Sequence, residues 1–203
     1  EISSDFFSYA IFLDFWCASL YNDFDKLSEV TMINEKIAKL INTQVNKEFY
    51  SAYLYLDFAN YYADAGLDGF AHWYEVQAHE ERDHAMMMRR YLIDNGVKVS
   101  FDKIDKPDKK FASNIDPLKA GLEHEKYVTG LINTIYAAAF ELKDFKTMQF
   151  LDWFIKEQGE EEKNADDMVR KMQLFGGDAK GLYALNAELA ARVYAPSAMG
   201  PAM

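Results

Sequence analysis

"AHEERDH", Ala78 to His84, sits inside a long amphipathic pattern and sets Glu81 and His84 three residues apart. On a helix that spacing brings both side chains to one side, about 60° from each other. Alone, a Glu-x-x-His is a weak signal, because chance occurrences are common. Its position gives it meaning: Tyr74, Ala78, Ala85 and Met88 recur at three- and four-residue spacing, and Glu81 falls among them, on the face an amphipathic helix turns to its core.

The same pattern recurs in three other segments. A first helix, from Ile33 to about Asp64, has the stripe Ile37, Ile41, Val45, Ala52, Tyr55, Ala59 and Tyr62, with Glu48 in its middle. The second, from about Leu67 to Asp94, carries Glu81. A third, from about Leu118 to Leu142, uses Leu118, Leu122, Thr129, Ile132, Tyr136 and Phe140 around Glu125. The fourth, from about Phe145 to Phe175, uses Phe150, Phe154, Ala165, Met168 and Met172 around Glu161, with Glu157 about 40° away. Within it, "KEQGEEEK" (Lys156 to Lys163) crowds Glu157, Glu160, Glu161 and Glu162 around a glycine, although like charges at this spacing repel and glycine weakens a helix.

One inward glutamate is explained by a basic partner or by protonation. Four are harder to accommodate: each unpaired buried carboxylate costs several kcal/mol, against a domain stability of about 5–15 kcal/mol. No Lys or Arg occupies the matching inward positions of these helices. Multivalent cations are the economical compensation, and carboxylates with one imidazole suit iron or manganese better than the thiolate sites of structural zinc. His72 and His124 lack comparable company and read as structural or surface residues, and His79 faces away from the stripe.

Connections limit the topology. Short breakers follow the first and third helices, making each pair an antiparallel hairpin, whereas the stretch "VKVSFDKIDKPDKKFASNIDP" spans roughly 65 Å when extended, enough to recross a helix of about 40 Å. Helices two and three then run parallel. After "GGDAKG" a short fifth helix, Leu182 to about Val193, ends before Pro196. The expected class is all-α: a four-helix bundle with one long crossover and a short C-terminal helix.

Composition narrows the function. The 203 residues suit one well-buried domain, and 33 acidic against 22 basic residues, a formal charge of −11, disfavour nucleic acid or anionic lipid as partners and favour cations. A single cysteine, Cys17, excludes an internal disulfide framework and a zinc ribbon, and fits a reducing cytoplasm. The apolar run Phe6 to Leu20 lacks the basic region of a signal peptide, is shorter than a membrane span, and carries Asp14. The expected organisation is an extension over 1–31, with Met32 a plausible natural start, a domain over 32–195, and a tail over 196–203.

On "NKEFYSAYLY", "AHEERDH", "EHEKY" and "WFIKEQGEEEK", the chain from about Met32 to Val193 resembles the non-haem ferritins of bacteria and archaea. The resemblance implies a ferritin-like fold and a di-iron ferroxidase centre. Glu48, Glu81 and His84 would hold one iron, and Glu81 would bridge to a second held by Glu125 and Glu161. A third iron would use Glu80, Glu157, Glu160 and Glu161. Tyr55 matches the family's tyrosine beside the dinuclear site, which leaves a redox role and a plain core aromatic both open. Gln158-x-x-Glu161 replaces the second Glu-x-x-His of haem-bearing bacterioferritins and rubrerythrins, and Arg82 stands where bacterioferritins carry a haem-ligating methionine, so no haem is expected. The implied activity is oxidation of Fe(II) by O2 and iron storage in a homo-oligomeric shell of twenty-four subunits. Two other classes compete: a storage or scaffold cage without ferroxidase activity, and a di-iron enzyme acting on an organic substrate.

Overall fold

The computed structural model describes residues 32–196, which form five helices: α1 (Glu35–Asp64), α2 (Asp68–Asp94), α3 (Asp116–Glu141), α4 (Phe145–Phe175) and α5 (Ala179–Leu189). The expected extension 1–31 and the tail beyond Pro196 lie outside the described residues. Local chemistry sets most helix starts. Asn34, Asp144 and Asp178 cap α1, α4 and α5 by accepting hydrogen bonds from backbone N–H groups of the first turn. Pro117 occupies the first turn of α3, where its missing N–H costs no helical bond. The Asp178 cap also explains why α5 begins three residues before the expected Leu182. The helix ends at Leu189 rather than near Val193, because the chain then turns back along α2.

The long crossover is fastened to α1 along its length. Asn42 donates to the Ser100 carbonyl at 2.9 Å and accepts from its N–H at 3.0 Å, and one turn later Asn46 bonds Lys103 and Asp102 in the same two-way manner. The N–H of Met32 reaches the Asn95 carbonyl at one end of α1. At the other end, Tyr62 donates to the carbonyl of Asn114. The connection therefore returns the chain to the far end of α1, and α3 runs parallel to α2. Backbone packing pairs α1 with α2, α3 with α4, and α1 with α3. No Cα pair within 8 Å links α2 to α4, so long side chains bridge that gap.

Two apolar clusters fill the bundle. One gathers Ile37, Ile41, Met88, Leu92, Ile132 and Phe154; the other gathers Tyr55, Phe58, Tyr62, Phe70, Tyr74 and Met168. Phe140 departs from the expected stripe, being 67% exposed. The buried face of α3 runs through Leu118, Gly121, Glu125, Val128, Ile132, Ile135 and Ala139. Its average step of 3.5 residues holds a straight seam, whereas repeated four-residue steps from Ile132 drift off it.

α5 supplies what α2 lacks. Leu67 offers no side-chain cap to α2; instead Asn186 Oδ1 accepts from the N–H groups of Gly69 at 2.8 Å and Phe70 at 3.2 Å. Gly69 permits that approach, since a Cβ there would lie 1.8 Å from the Asn186 carbonyl oxygen. Gly69→Ala is expected to displace α5 and cost about 1–3 kcal/mol. Thermal unfolding, with limited proteolysis near Gly177, checks both effects; an unchanged melting temperature and cleavage pattern contradict this docking.

Candidate metal centre

Between the two apolar clusters lies a polar layer. Each of the four bundle helices contributes one glutamate to it, Glu48, Glu81, Glu125 and Glu161, at 1–4% exposure, and α2 adds His84 at 2%. The helical period places each carboxylate on the buried stripe, so folding the apolar residues inward carries the acids with them. One ligand atom each from Glu48, Glu81 and His84 lies within 4.8 Å of the others, and the same holds for His84, Glu157 and Glu161. His84 Nδ1 is 3.6 Å from Glu81 Oε2.

Glutamines hold the carboxylates. Gln44 donates to Glu48 at 2.9 Å, and Gln77 donates to Glu161 at 2.7 Å and to Glu81 at 3.3 Å. Gln158 donates to Glu125 at 3.3 Å, and the Tyr55 hydroxyl donates to the other oxygen of Glu125. Gln44 and Gln77 carry no signal of their own in the apolar stripes, yet each precedes a core glutamate by four residues, a repeated spacing that marks them. His124 is structural, bonded to Ser51 at 2.8 Å, while His72 is half-buried and His79 exposed.

Among the described residues, two buried side-chain polar atoms have no hydrogen-bond partner: Glu48 Oε2 and His84 Nε2. Such orphaned atoms are costly, and both belong to a trio with metal-ligand proximity. Trp153 and Phe154 pack edge-on against the His84 ring at 5.4 and 6.0 Å, keeping its surroundings apolar. Oxygen donors with one imidazole and a bridging-capable carboxylate fit iron.

The residues implied for a third iron are placed differently. Glu157 accompanies Glu161 and His84, but Glu160 is exposed and pairs with Lys156 at 3.4 Å, while Glu80 is held by Arg192. Gly159, between Glu157 and Glu160, faces open space. Glu162 is half-buried.

Burial raises the proton affinity of the four glutamates. Glu48 and Glu125 are pushed up to about 8, first by desolvation and then by the charge of Glu81; Glu81 and Glu161 move the same way, again by desolvation and then by a neighbouring carboxylate. Because the folded values exceed the unfolded ones, the folded state binds more protons. This contribution to apoprotein stability is complete below the unfolded value near 4.5 and is lost as pH rises through about 8. The metal-free melting temperature is therefore expected to fall between pH 6 and pH 9. Glu48→Gln, which removes one ionisation, should recover on the order of a few kcal/mol at the alkaline end. Thermal scans of both proteins in chelator check this; parallel pH profiles contradict it.

Comparisons with known proteins agree with this geometry. A ferritin-like domain family profile matches residues 38–175. A probable bacterial non-heme ferritin-like protein of Haemophilus influenzae is 35% identical over 158 residues, covering 78% of this chain and 96% of that protein. A bacterial non-heme ferritin of Campylobacter jejuni is 36% identical over 152 residues, covering 75% and 91%. Among solved structures, an open pore ferritin from the archaeon Archaeoglobus fulgidus superposes with a TM-score of 0.78 at 40% identity, covering 80% of this chain and 99% of that one. With a bundle of this topology, a buried Glu and His layer, and similarity running through nearly the full length of these relatives, the chain belongs to the ferritin family.

Proposed function

We propose that this chain is an iron-storage ferroxidase: it binds two Fe(II) ions as substrate in the buried layer, oxidises them with O2, and deposits the ferric product inside a shell of twenty-four copies. The observation that carries the reading is the layer of Glu48, Glu81, Glu125 and Glu161 with His84, in which Glu48 Oε2 and His84 Nε2 are buried and unpartnered. Four carboxylates and one imidazole supply what two hard cations require, and removing the acids from water without such ions costs several kcal/mol each.

Each side chain has a part. Glu48 and His84 hold the first iron, Glu125 and Glu161 the second, and Glu81 bridges the pair. Gln158 and Tyr55 fix the Glu125 carboxylate, and Gln44 and Gln77 orient Glu48, Glu81 and Glu161, so that little reorganisation is needed on binding. The glutamates hold protons strongly before iron arrives, so each Fe(II) displaces protons as it binds. Hard anionic oxygens then favour Fe(III), and two irons together give two electrons to O2, taking it to the level of hydrogen peroxide as two protons are consumed. Hydrolysis of the ferric product returns protons to solvent.

Mixing apoprotein with Fe(II) in air is expected to develop ferric absorbance well above the buffer rate. Glu81→Ala should slow the initial phase by roughly tenfold or more, because both metal positions lose a ligand. An unchanged rate in this variant would place the chemistry elsewhere. Sedimentation is expected to give a particle of about 560 kDa, twenty-four copies of a 23.4 kDa chain. A stable monomer contradicts the shell.

A further inference from the structure

The segment after α5 stays on the bundle. The Arg192 carbonyl accepts from His72 Nε2 at 2.8 Å, the His79 ring lies 5.4 Å from that of Tyr194, and the Tyr194 hydroxyl donates to Asp83. Between these anchors the Arg192 guanidinium lies over the Trp73 ring, 4.3 Å from its centroid, and donates to the Trp73 carbonyl at 3.3 Å. Its remaining donors fork: Nη1 reaches Gln77 Oε1 at 2.9 Å, and Nη2 reaches Glu80 Oε2. Residues on three successive turns of α2 thus meet one side chain that is 20% exposed.

Both branches lead to the metal layer. An amide has one accepting and one donating end, so Arg192 on Gln77 Oε1 commits Gln77 Nε2 to Glu161 and Glu81. The other branch engages Glu80, the neighbour in sequence of Glu81. Burial raises the proton affinity of Glu80, while Arg192 opposes that effect and favours its charged form. A carboxylate committed to a guanidinium is a poor metal ligand, and the fixed positive charge repels an arriving cation.

We propose that Arg192 is a positioning residue acting as a tethered cation: it holds Glu80 away from the outer metal position beside Glu157 and Glu161, so that the chain binds two metal ions tightly and a third only weakly. The inference rests on the di-metal reading above. The C-terminal segment then sets the capacity of the centre, and opening the outer position requires Arg192 to leave Glu80. α5 links this device to the fold, since the Asn186 cap on α2 fixes where Arg192 begins.

Anaerobic calorimetric titration of the full, assembled chain with Zn(II), a redox-inert stand-in for Fe(II), reads each binding event separately. The natural chain is expected to show two tight events per subunit and a weaker third. Arg192→Gln should tighten the third by about tenfold or more, a change opposite in sign to any loss at the first two from releasing Gln77. Arg192→Lys keeps the charge and stem but cannot fork between Gln77 and Glu80, and should fall between the two. Adding Glu80→Gln to Arg192→Gln should abolish the gain, tying it to Glu80 rather than to a general loosening. A third event unchanged in Arg192→Gln overturns the proposal. Should that variant not assemble, a third event in Arg192→Lys equal to that of the natural chain overturns it equally. A natural chain without the two tight events would overturn the di-metal reading itself, and this inference with it.

Discussion

Burial of four carboxylates in one layer is the constraint on which the rest of this structure depends. Glu48, Glu81, Glu125 and Glu161 reach that layer because they occupy the apolar stripes of their helices, and the two aromatic and aliphatic clusters on either side exclude water from it. Without cations the acids lower their cost by retaining protons and accepting from Gln44, Gln77, Gln158 and Tyr55. Those donors satisfy most of the layer but leave Glu48 Oε2 and His84 Nε2 without partners. Stability is thereby surrendered at the place where chemistry is expected, and the apolar clusters above and below offset it.

The architecture protects this layer by dividing tasks among its parts. α1 packs closely on α2 and α3 on α4, while the wider separation of α2 from α4 leaves room for long side chains such as Gln77 to reach Glu161. The crossover, fastened by Asn42 and Asn46, orders the two pairs without entering the core. α5 and the residues after it close the remaining end, capping α2 through Asn186 and setting Arg192 against Gln77 and Glu80. The centre is therefore coupled to the C-terminal segment through the same helix that carries Glu81 and His84.

Much of this was legible in the sequence because a helix converts spacing into direction. The four inward glutamates and His84 stood out by lying on stripes, and the connection lengths fixed which helices run parallel. Phe140 lies off the buried face because repeated four-residue steps drift from a seam that averages 3.5. Gln44 and Gln77 are not legible in the same way, since a polar residue one turn from a ligand looks like ordinary surface until the ligand's own burial is known. Arg192 was beyond reach of periodicity: it lies more than one hundred residues from Gln77 in sequence, after a helix whose end depends on contacts with α2. Crowding in "KEQGEEEK" separates into a buried Glu161, a half-buried Glu157 beside it, and an exposed Glu160 paired with Lys156. Helical phase distinguishes the first from the last, and the four-residue spacing of Lys156 and Glu160 suits them to pair on one helix face.

The central claim is that the carboxylate layer holds two irons, and anomalous diffraction at the iron edge from crystals soaked anaerobically in Fe(II) tests it most directly. The expected result is two iron peaks inside the bundle, one between Glu48, Glu81 and His84 and the other between Glu81, Glu125 and Glu161. Iron confined to surface carboxylates, with the buried layer still linked only by its own hydrogen bonds, would contradict the account.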